Sequence, residues 1–294
     1  MSQKILITGI DGFTGQHLKT YFINKGFQVY GTTYTETNLD NSYKCDITDI
    51  NSVRIVLDNV NPDFIIHLAA ISFVGHTNIE AFYKTNVVGT LNILDALLLN
   101  NHNPKKIIIA SSATVYGNQN KEILDEALCP KPANHYGASK YSMECLVSNY
   151  FDKLNIIITR PFNYTGVGQS DSFLIPKIVN HYKQNKQSIK LGNLDVVREF
   201  NDITFVCDVY YKMLNSSITA DTFNICSQRG IKLIDVISMM NEIANYDIKV
   251  EIENLLIRHN EIKVLIGSNV KLFSSIGKIE QSDFRLTLQE MYEY

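Results

Sequence analysis

Tyr136 and Lys140 stand four residues apart in Tyr136-Gly137-Ala138-Ser139-Lys140, a spacing that puts a phenol and an ammonium on one face of a helix. Such a pair suits proton transfer, because a nearby cation favours the phenolate and draws the tyrosine pKa down toward working pH. Taken alone, the same spacing also describes an ordinary exposed pair. A hydroxyl-rich run, Ser111-Ser112-Ala113-Thr114-Val115-Tyr116-Gly117, directly follows an apolar strand pattern, where a serine hydroxyl is placed to polarise a carbonyl. A third constellation, Gly9-Ile10-Asp11-Gly12-Phe13-Thr14-Gly15, lies between a strand and a helix pattern. Glycines at that spacing permit a tight turn, let the backbone approach a pyrophosphate, and leave the N–H groups of the helix start facing the anion.

These groups need a scaffold, and the first two thirds of the chain supplies its pattern. Lys4-Ile5-Leu6-Ile7-Thr8, a helical stretch from about Thr14 to Asn24, and Gln28-Val29-Tyr30-Gly31-Thr32 read as a βαβ opening. Apolar runs at 64–68, 106–110 and 156–159 follow, separated by helix-length segments over about 80–100 and 136–153. Runs that are apolar on both sides of the pleat belong to strands covered by helices on both faces. Pro62 and Pro104 stop the helices before two of these strands. After Arg160 the elements become shorter and more mixed. The pattern predicts an α/β protein: a doubly wound parallel Rossmann-type sheet over 1–160, and a smaller C-terminal α/β substrate-binding lobe over 161–294. Some later segments, Asp221 to Ile225 among them, are expected to return to the sheet.

Composition narrows the function classes. With 294 residues, 27 basic against 30 acidic side chains and a net charge of -3, the chain has no global positive field to attract nucleic acid or an anionic membrane. An anionic ligand must be held locally. Cys45, Cys129, Cys145, Cys207 and Cys226 are scattered and odd in number, without a CxxC pair, and the seven histidines form no HExxH spacing, so neither a disulfide frame nor a metal site is expected. Met1 and three polar residues lead straight into the first strand, and the apolar stretches are short, which predicts a cytoplasmic protein.

Two further positions bear on a dinucleotide. The second strand should end in an acid for a free ribose 2′-hydroxyl or a base for a 2′-phosphate, but here it ends Thr32-Thr33-Tyr34-Thr35-Glu36. Thr33 and Tyr34 can each hydrogen-bond either form, so NADH and NADPH both stay open. Asp46 follows a third short strand, where it can accept from an adenine amino group or cap a solvated turn.

The order GxxGxxG, Leu68-Ala69-Ala70, Asn86, SSATVYG and YGASK resembles the extended short-chain dehydrogenase/reductase family across nearly the whole chain. That resemblance implies a catalytic triad in which Ser112 orients the substrate oxygen, Tyr136 moves the proton and Lys140 tunes the tyrosine. It also implies that Gly9, Gly12, Phe13, Thr14, Gly15, Thr33, Asp46, Ile47, Leu68, Ala69, Ala70 and Pro161 line the NADPH or NADH site with Tyr136 and Lys140, Asn86 supporting them. Sugar-nucleotide dehydratases of the family carry an acid two positions after the catalytic hydroxyl and GDP-fucose synthases a cysteine; Thr114 stands there, so both chemistries are unexpected. A 4-ketoreductase or a 4-epimerase with tightly bound NAD remains, with a non-catalytic nucleotide-sugar sensor as a third reading.

The run Arg160-Pro161-Phe162-Asn163 through Gln169, and Arg198-Glu199-Phe200, look like the GDP-4-keto-6-deoxy-mannose reductases. By that resemblance Thr114 and Asn163 face the sugar, Arg198 and Arg258 neutralise the diphosphate with Lys177 beside them, and Glu261 binds the nucleoside ribose. The implied substrate is a GDP-linked 4-keto-6-deoxy hexose or heptose, less readily a UDP- or dTDP-linked one. The family likeness also implies a homodimer built on the 80–100 and 136–153 helices, with Leu97, Leu98 and Tyr141 on their outer faces.

Overall fold

A computed structural model describes residues 2–73, 77–257 and 262–294. Arg258 and Glu261 therefore lie outside the described residues. The first half runs β1 (Lys4–Thr8), α1 (Phe13–Asn24), β2 (Gln28–Thr33), β3 (Ser42–Lys44), α2 (Ile50–Val60), β4 (Phe64–His67), α3 (Ile79–Tyr83), a π-helical turn over Lys84–Gly89, α4 (Thr90–Leu99), β5 (Lys106–Ala110), a 3-10 turn over Ala113–Tyr116, β6 (Ile123–Leu124), α5 (His135–Val147) and β7 (Ile156–Pro161). The second half runs β8 (Tyr164–Thr165), α6 (Leu174–Lys183), β9 (Ser188–Leu191), β10 (Val197–Glu199), β11 (Asn201–Asp202), α7 (Ile203–Leu214), β12 (Asp221–Ile225), β13 (Gly230–Lys232), α8 (Leu233–Ala244), β14 (Lys249–Ile252), β15 (Val264–Gly267), α9 (Val270–Ile276) and α10 (Phe284–Glu293).

Seven strands pair in the order β12-β7-β5-β4-β1-β2-β3, every neighbour parallel. Alternate residues of each strand enter opposite cores. Ile5, Ile7, Ile66, Ile108 and Ile157 pack with Leu18 and Phe22 of α1 and with α7. Leu6, Ile65, Ile107 and Ile158 pack with α2, α4 and α5 on the other face. The doubly wound parallel sheet expected from the apolar runs is present. Strand order reverses between β1 and β4, and the crevice outside the carboxyl ends at such a switch point is where ligands bind in open α/β sheets.

The smaller core joins α6, α8 and α10 through Ile178, Tyr182, Val236, Met240 and Leu288, next to a four-stranded sheet ordered β13-β10-β15-β6. The two layers exchange segments. β6 leaves the first half to pair with β15, while α7 and β12 return to the large sheet.

Two details differ from the periodicity. The 80–100 stretch is interrupted by the π-helical turn, whose wide bore turns Asn86 inward. Leu97, expected on an outer face, is fully buried among Val56, Leu57 and Ile107; its apolar neighbours on α4 gave no signal of which leucine faced the sheet. Leu98 is partly exposed, and Tyr141 is half-buried against the Tyr116 and Phe162 cluster. Among the described residues, no helix is long and apolar enough to cross a membrane.

Candidate active site

The glycine turn sits at the switch point. Gly9 has φ +69, and a Cβ there would lie 3.1 Å from the Ala69 backbone; at Gly15 it would meet the Gly9 carbonyl at 2.4 Å. Side chains are thus excluded from the approach between β1 and the β4 end. Gly12 caps α1 with no side chain, so the first-turn N–H groups stay available to an anion, which fits the pyrophosphate of a dinucleotide.

Behind this turn is a hydrogen-bond chain the sequence did not reveal. The Thr90 hydroxyl donates to the Asn86 carbonyl (2.8 Å), so it accepts from His67 Nε2 (2.9 Å). His67 is therefore the Nε2–H tautomer, and its Nδ1 accepts the Thr8 hydroxyl at 2.7 Å. Thr8 in turn accepts the Leu68 and Ala69 N–H groups, each at 3.1 Å. Burial, with the charge of Lys140 second, pushes His67 down to about 3, so the chain is uncharged at neutral pH and pins the ends of β1 and β4 together. Asn86 bonds the Ile71 N–H (2.9 Å) and carbonyl (3.1 Å) and the Ser139 hydroxyl (3.0 Å), tying the Leu68-Ala69-Ala70 segment to α5.

Around the adenosine end, the Thr33 hydroxyl donates to the Thr35 carbonyl and Glu36 pairs with Lys44 at 2.9 Å on the surface. Asp46 accepts the Thr48 N–H and hydroxyl through Oδ1. Ile47 is buried beside Gly89, where a Cβ would lie 2.7 Å from its side chain. Thr14 hydrogen-bonds Tyr164 at 2.7 Å, and Phe13 stacks on the Tyr164 ring at 6.2 Å, so β8 braces the start of α1.

At the reacting end, Asn134 caps α5 by accepting the Gly137 N–H, which starts the helix one residue before Tyr136. Gly137 packs against the Ser112 turn: a Cβ there would stand 2.7 Å from the Thr114 carbonyl. Ser112 caps that turn, accepting the Thr114 N–H (3.2 Å) and hydroxyl (2.9 Å). Lys140 is buried and donates to the Ala110 carbonyl at 2.7 Å; desolvation pulls it down to about 8. Tyr136 departs from expectation. Burial raises it to about 12, with a hydrogen bond to Ser112 opposing and Tyr164 adding to the rise. The cation four residues away was expected to draw it down, but burial outweighs the opposing Ser112 hydrogen bond and the phenol stays protonated.

A buried polar chain backs the site. Arg160 Nη2 meets Glu144 at 2.7 Å and Arg160 Nη1 donates to Tyr116 at 3.0 Å; the Tyr116 hydroxyl donates to Asn224 at 2.7 Å. The arginine before Pro161 was legible as motif, its partners were not.

Thus Gly9 to Gly15, Thr33, Asp46, Ile47, Leu68 to Ala70, Ser112, Thr114, Tyr136, Lys140, Pro161 and Asn163 all lie at or just beyond the carboxyl ends of the large sheet or at the start of α5. Asn163 is exposed, its carbonyl accepting the Asn201 N–H. Lys177 and Arg198 belong to the smaller lobe. Lys177 donates to the Lys190 carbonyl at 2.9 Å. Arg198 donates to the carbonyls of Val197 (2.8 Å), Lys263 (3.1 Å) and Ile262, which anchors the chain just after residue 261. Next to it, the buried Glu199 accepts the Gly267 and Ser227 N–H groups, both at 2.6 Å, joining β10 to β15.

The family model described as GDP-mannose 4,6 dehydratase matches residues 6–291. The chain belongs to this family. Within it, a GDP-6-deoxy-D-talose 4-dehydrogenase of Aggregatibacter actinomycetemcomitans is 37% identical over 99% of this chain and 97% of its own length. A GDP-6-deoxy-D-mannose reductase of Pseudomonas aeruginosa is 29% identical over 94% and 92% respectively. A solved Pseudomonas aeruginosa structure, RMD complexed with NADPH, superposes with a TM-score of 0.87 at 26% identity, covering 99% of this chain and 98% of that one.

Proposed function

We propose that this family member reduces the C4 ketone of a GDP-linked 4-keto-6-deoxy sugar, a hexose or its heptose analogue, as a precursor step for a surface polysaccharide. The observation that carries the reading is the meeting, at the carboxyl edge of the large sheet, of the Tyr136 phenol hydrogen-bonded to Ser112 with an α1 start left open to an anion.

A nicotinamide cofactor, NADPH or NADH, supplies the hydride when bound. The uncapped, side-chain-free start of α1 fits its pyrophosphate, and Leu68, Ala69 and Ala70 after β4, with Pro161 at the end of β7, are assigned to the rest of the cofactor. As the ketone is reduced, Tyr136 would give its proton to O4 and be left as a phenolate. Ser112 hydrogen-bonds O4, and Lys140, partly neutral near pH 8, stands behind the tyrosine. Asn163 and Arg198, with Arg258, Glu261 and Lys177, are assigned to the sugar nucleotide. Two relatives support the reading: one is named a GDP-6-deoxy-D-talose 4-dehydrogenase and the other a GDP-6-deoxy-D-mannose reductase. Thr114, where a dehydratase needs a titratable group, cannot serve the family's namesake elimination.

The test supplies GDP-4-keto-6-deoxy-mannose, formed in place by a dehydratase, and follows NADPH and NADH consumption and the sugar product. Turnover is expected, with Tyr136→Phe slower by about a thousandfold. Tyr136→Phe turning over like the parent would overturn the mechanism. Conversion of a 4-hydroxy sugar nucleotide without added reductant, on protein carrying non-exchanging NAD, would replace it with 4-epimerisation.

A further inference from the structure

A hydroxyl oxygen has two lone pairs and one proton to use. In Ser112 both lone pairs are engaged by one neighbour, the Thr114 N–H at 3.2 Å and the Thr114 hydroxyl at 2.9 Å. Only the Ser112 proton remains. We propose that Thr114 is a positioning residue that acts through Ser112, making it a donor-only group toward the substrate O4, instead of a residue that contacts the sugar. The inference rests on the C4-reductase reading and deepens it.

The surroundings hold Thr114 to this task. Its main chain is fixed on both sides, because the Val115 N–H donates to the Ser112 carbonyl (3.2 Å) and the Gly117 N–H to the Thr114 carbonyl (3.3 Å). Gly137 of α5 seats directly on that same carbonyl. A β-branched side chain on such a backbone has few χ1 choices, and its one proton is already given to Ser112. Without the Thr114 hydroxyl, Ser112 regains a free lone pair, and its existing hydrogen bond with Tyr136 can reverse, the phenol donating to the serine. The Tyr136 proton would then be spent on Ser112 instead of on O4. With it, Ser112 donates and the Tyr136 proton stays available. No covalent step changes: the serine proton is shared with O4 and never transferred.

The experiment compares Thr114→Val, which keeps the shape and the N–H, with Thr114→Ser, which restores the hydroxyl, using the GDP-4-keto sugar and NADPH. For Thr114→Val, kcat is expected to fall about tenfold, less than loss of a whole oxyanion donor, with KM for the sugar nucleotide within about twofold. Thr114→Ser should recover most of that loss. In a Ser112→Ala background, Thr114→Val should cost nothing further. A rise in KM with kcat retained would show instead that Thr114 touches the sugar. A full tenfold loss in the Ser112→Ala background would equally refute action through the serine. If the parent protein does not reduce the ketone, the reductase reading fails on its own. The Thr114 proposal is then scored by the same kcat and KM comparison on oxidation of a GDP-6-deoxyhexose by NADP.

Discussion

Gly137→Ala tests how closely α5 must sit on the Ser112 turn. The added methyl would stand 2.7 Å from the Thr114 carbonyl and 3.2 Å from Pro132, where ordinary contact begins at 3.4 Å. The carbonyl is backbone, braced by the Gly117 N–H, so it is the helix that must retreat, by about 0.7 Å if the whole overlap is relieved there. Tyr136 precedes Gly137 and moves with it, while Ser112 stays with the turn. A misplacement of about 1 Å between reacting groups can cost about a hundredfold, so kcat should fall about thirtyfold, equivalent to about 2 kcal/mol of barrier. Stability should change less. Overpacking costs about 1–3 kcal/mol, and alanine returns up to about 1 kcal/mol of helix propensity over glycine. The assay pairs steady-state turnover of the keto sugar nucleotide with urea denaturation. A variant that keeps the parent kcat at unchanged stability would show that the contact between helix and turn does not set the geometry of the site.

The remaining expectations concern charge and assembly. Lys140 titrates near 8 in the fold against 10.5 as a free side chain; between those values the unfolded chain binds more protons, so stability rises with pH across that window. Lys140→Met should therefore be more stable than the parent by up to about 3 kcal/mol at pH 7, with the difference shrinking toward pH 10, read by urea denaturation at both ends; a constant difference refutes the buried-charge argument. Arg160→Met strands Glu144 in the interior and should cost about 3–5 kcal/mol, while Arg160→Met with Glu144→Leu should recover most of it, a comparison equally open to denaturation. Leu98 and Leu146 stand exposed beside a groove between α4 and the end of α5, and we expect a homodimer across this face. Light scattering should give twice the chain mass, and Leu98→Glu should reduce it to one.

The sequence carried the local parts of this protein well. Continuous buried runs such as Lys4–Thr8 and Ile156–Pro161 announce the strands because both faces are covered, and the glycine turn is legible because its three glycines each answer a steric demand at a fixed spacing. Tyr136 and Lys140 share a helix face by arithmetic alone. Long-range relations were not legible. His67, Thr8 and Thr90 are far apart in sequence and unremarkable singly, yet form one proton-ordered chain. Glu144 waits sixteen residues before Arg160 with no motif between them. The pKa of Tyr136 went the other way because burial, which no spacing reports, outweighs the hydrogen bond from Ser112.

The exchange of segments between the layers also bears on how the chain comes into being. One face of the central sheet is roofed by α1 and α7 together, and the outer edge at β7 is closed by β12. A nascent chain that has emerged only as far as residue 160 holds most of its nucleotide-binding strands and α1, but leaves the part of the face that α7 covers, and an open strand edge, bare to water. Native closure of that half waits for residues 203–225 to leave the ribosome. The protein should therefore be a post-translational folder that leans on chaperones in the interval, and its N-terminal half expressed alone should aggregate.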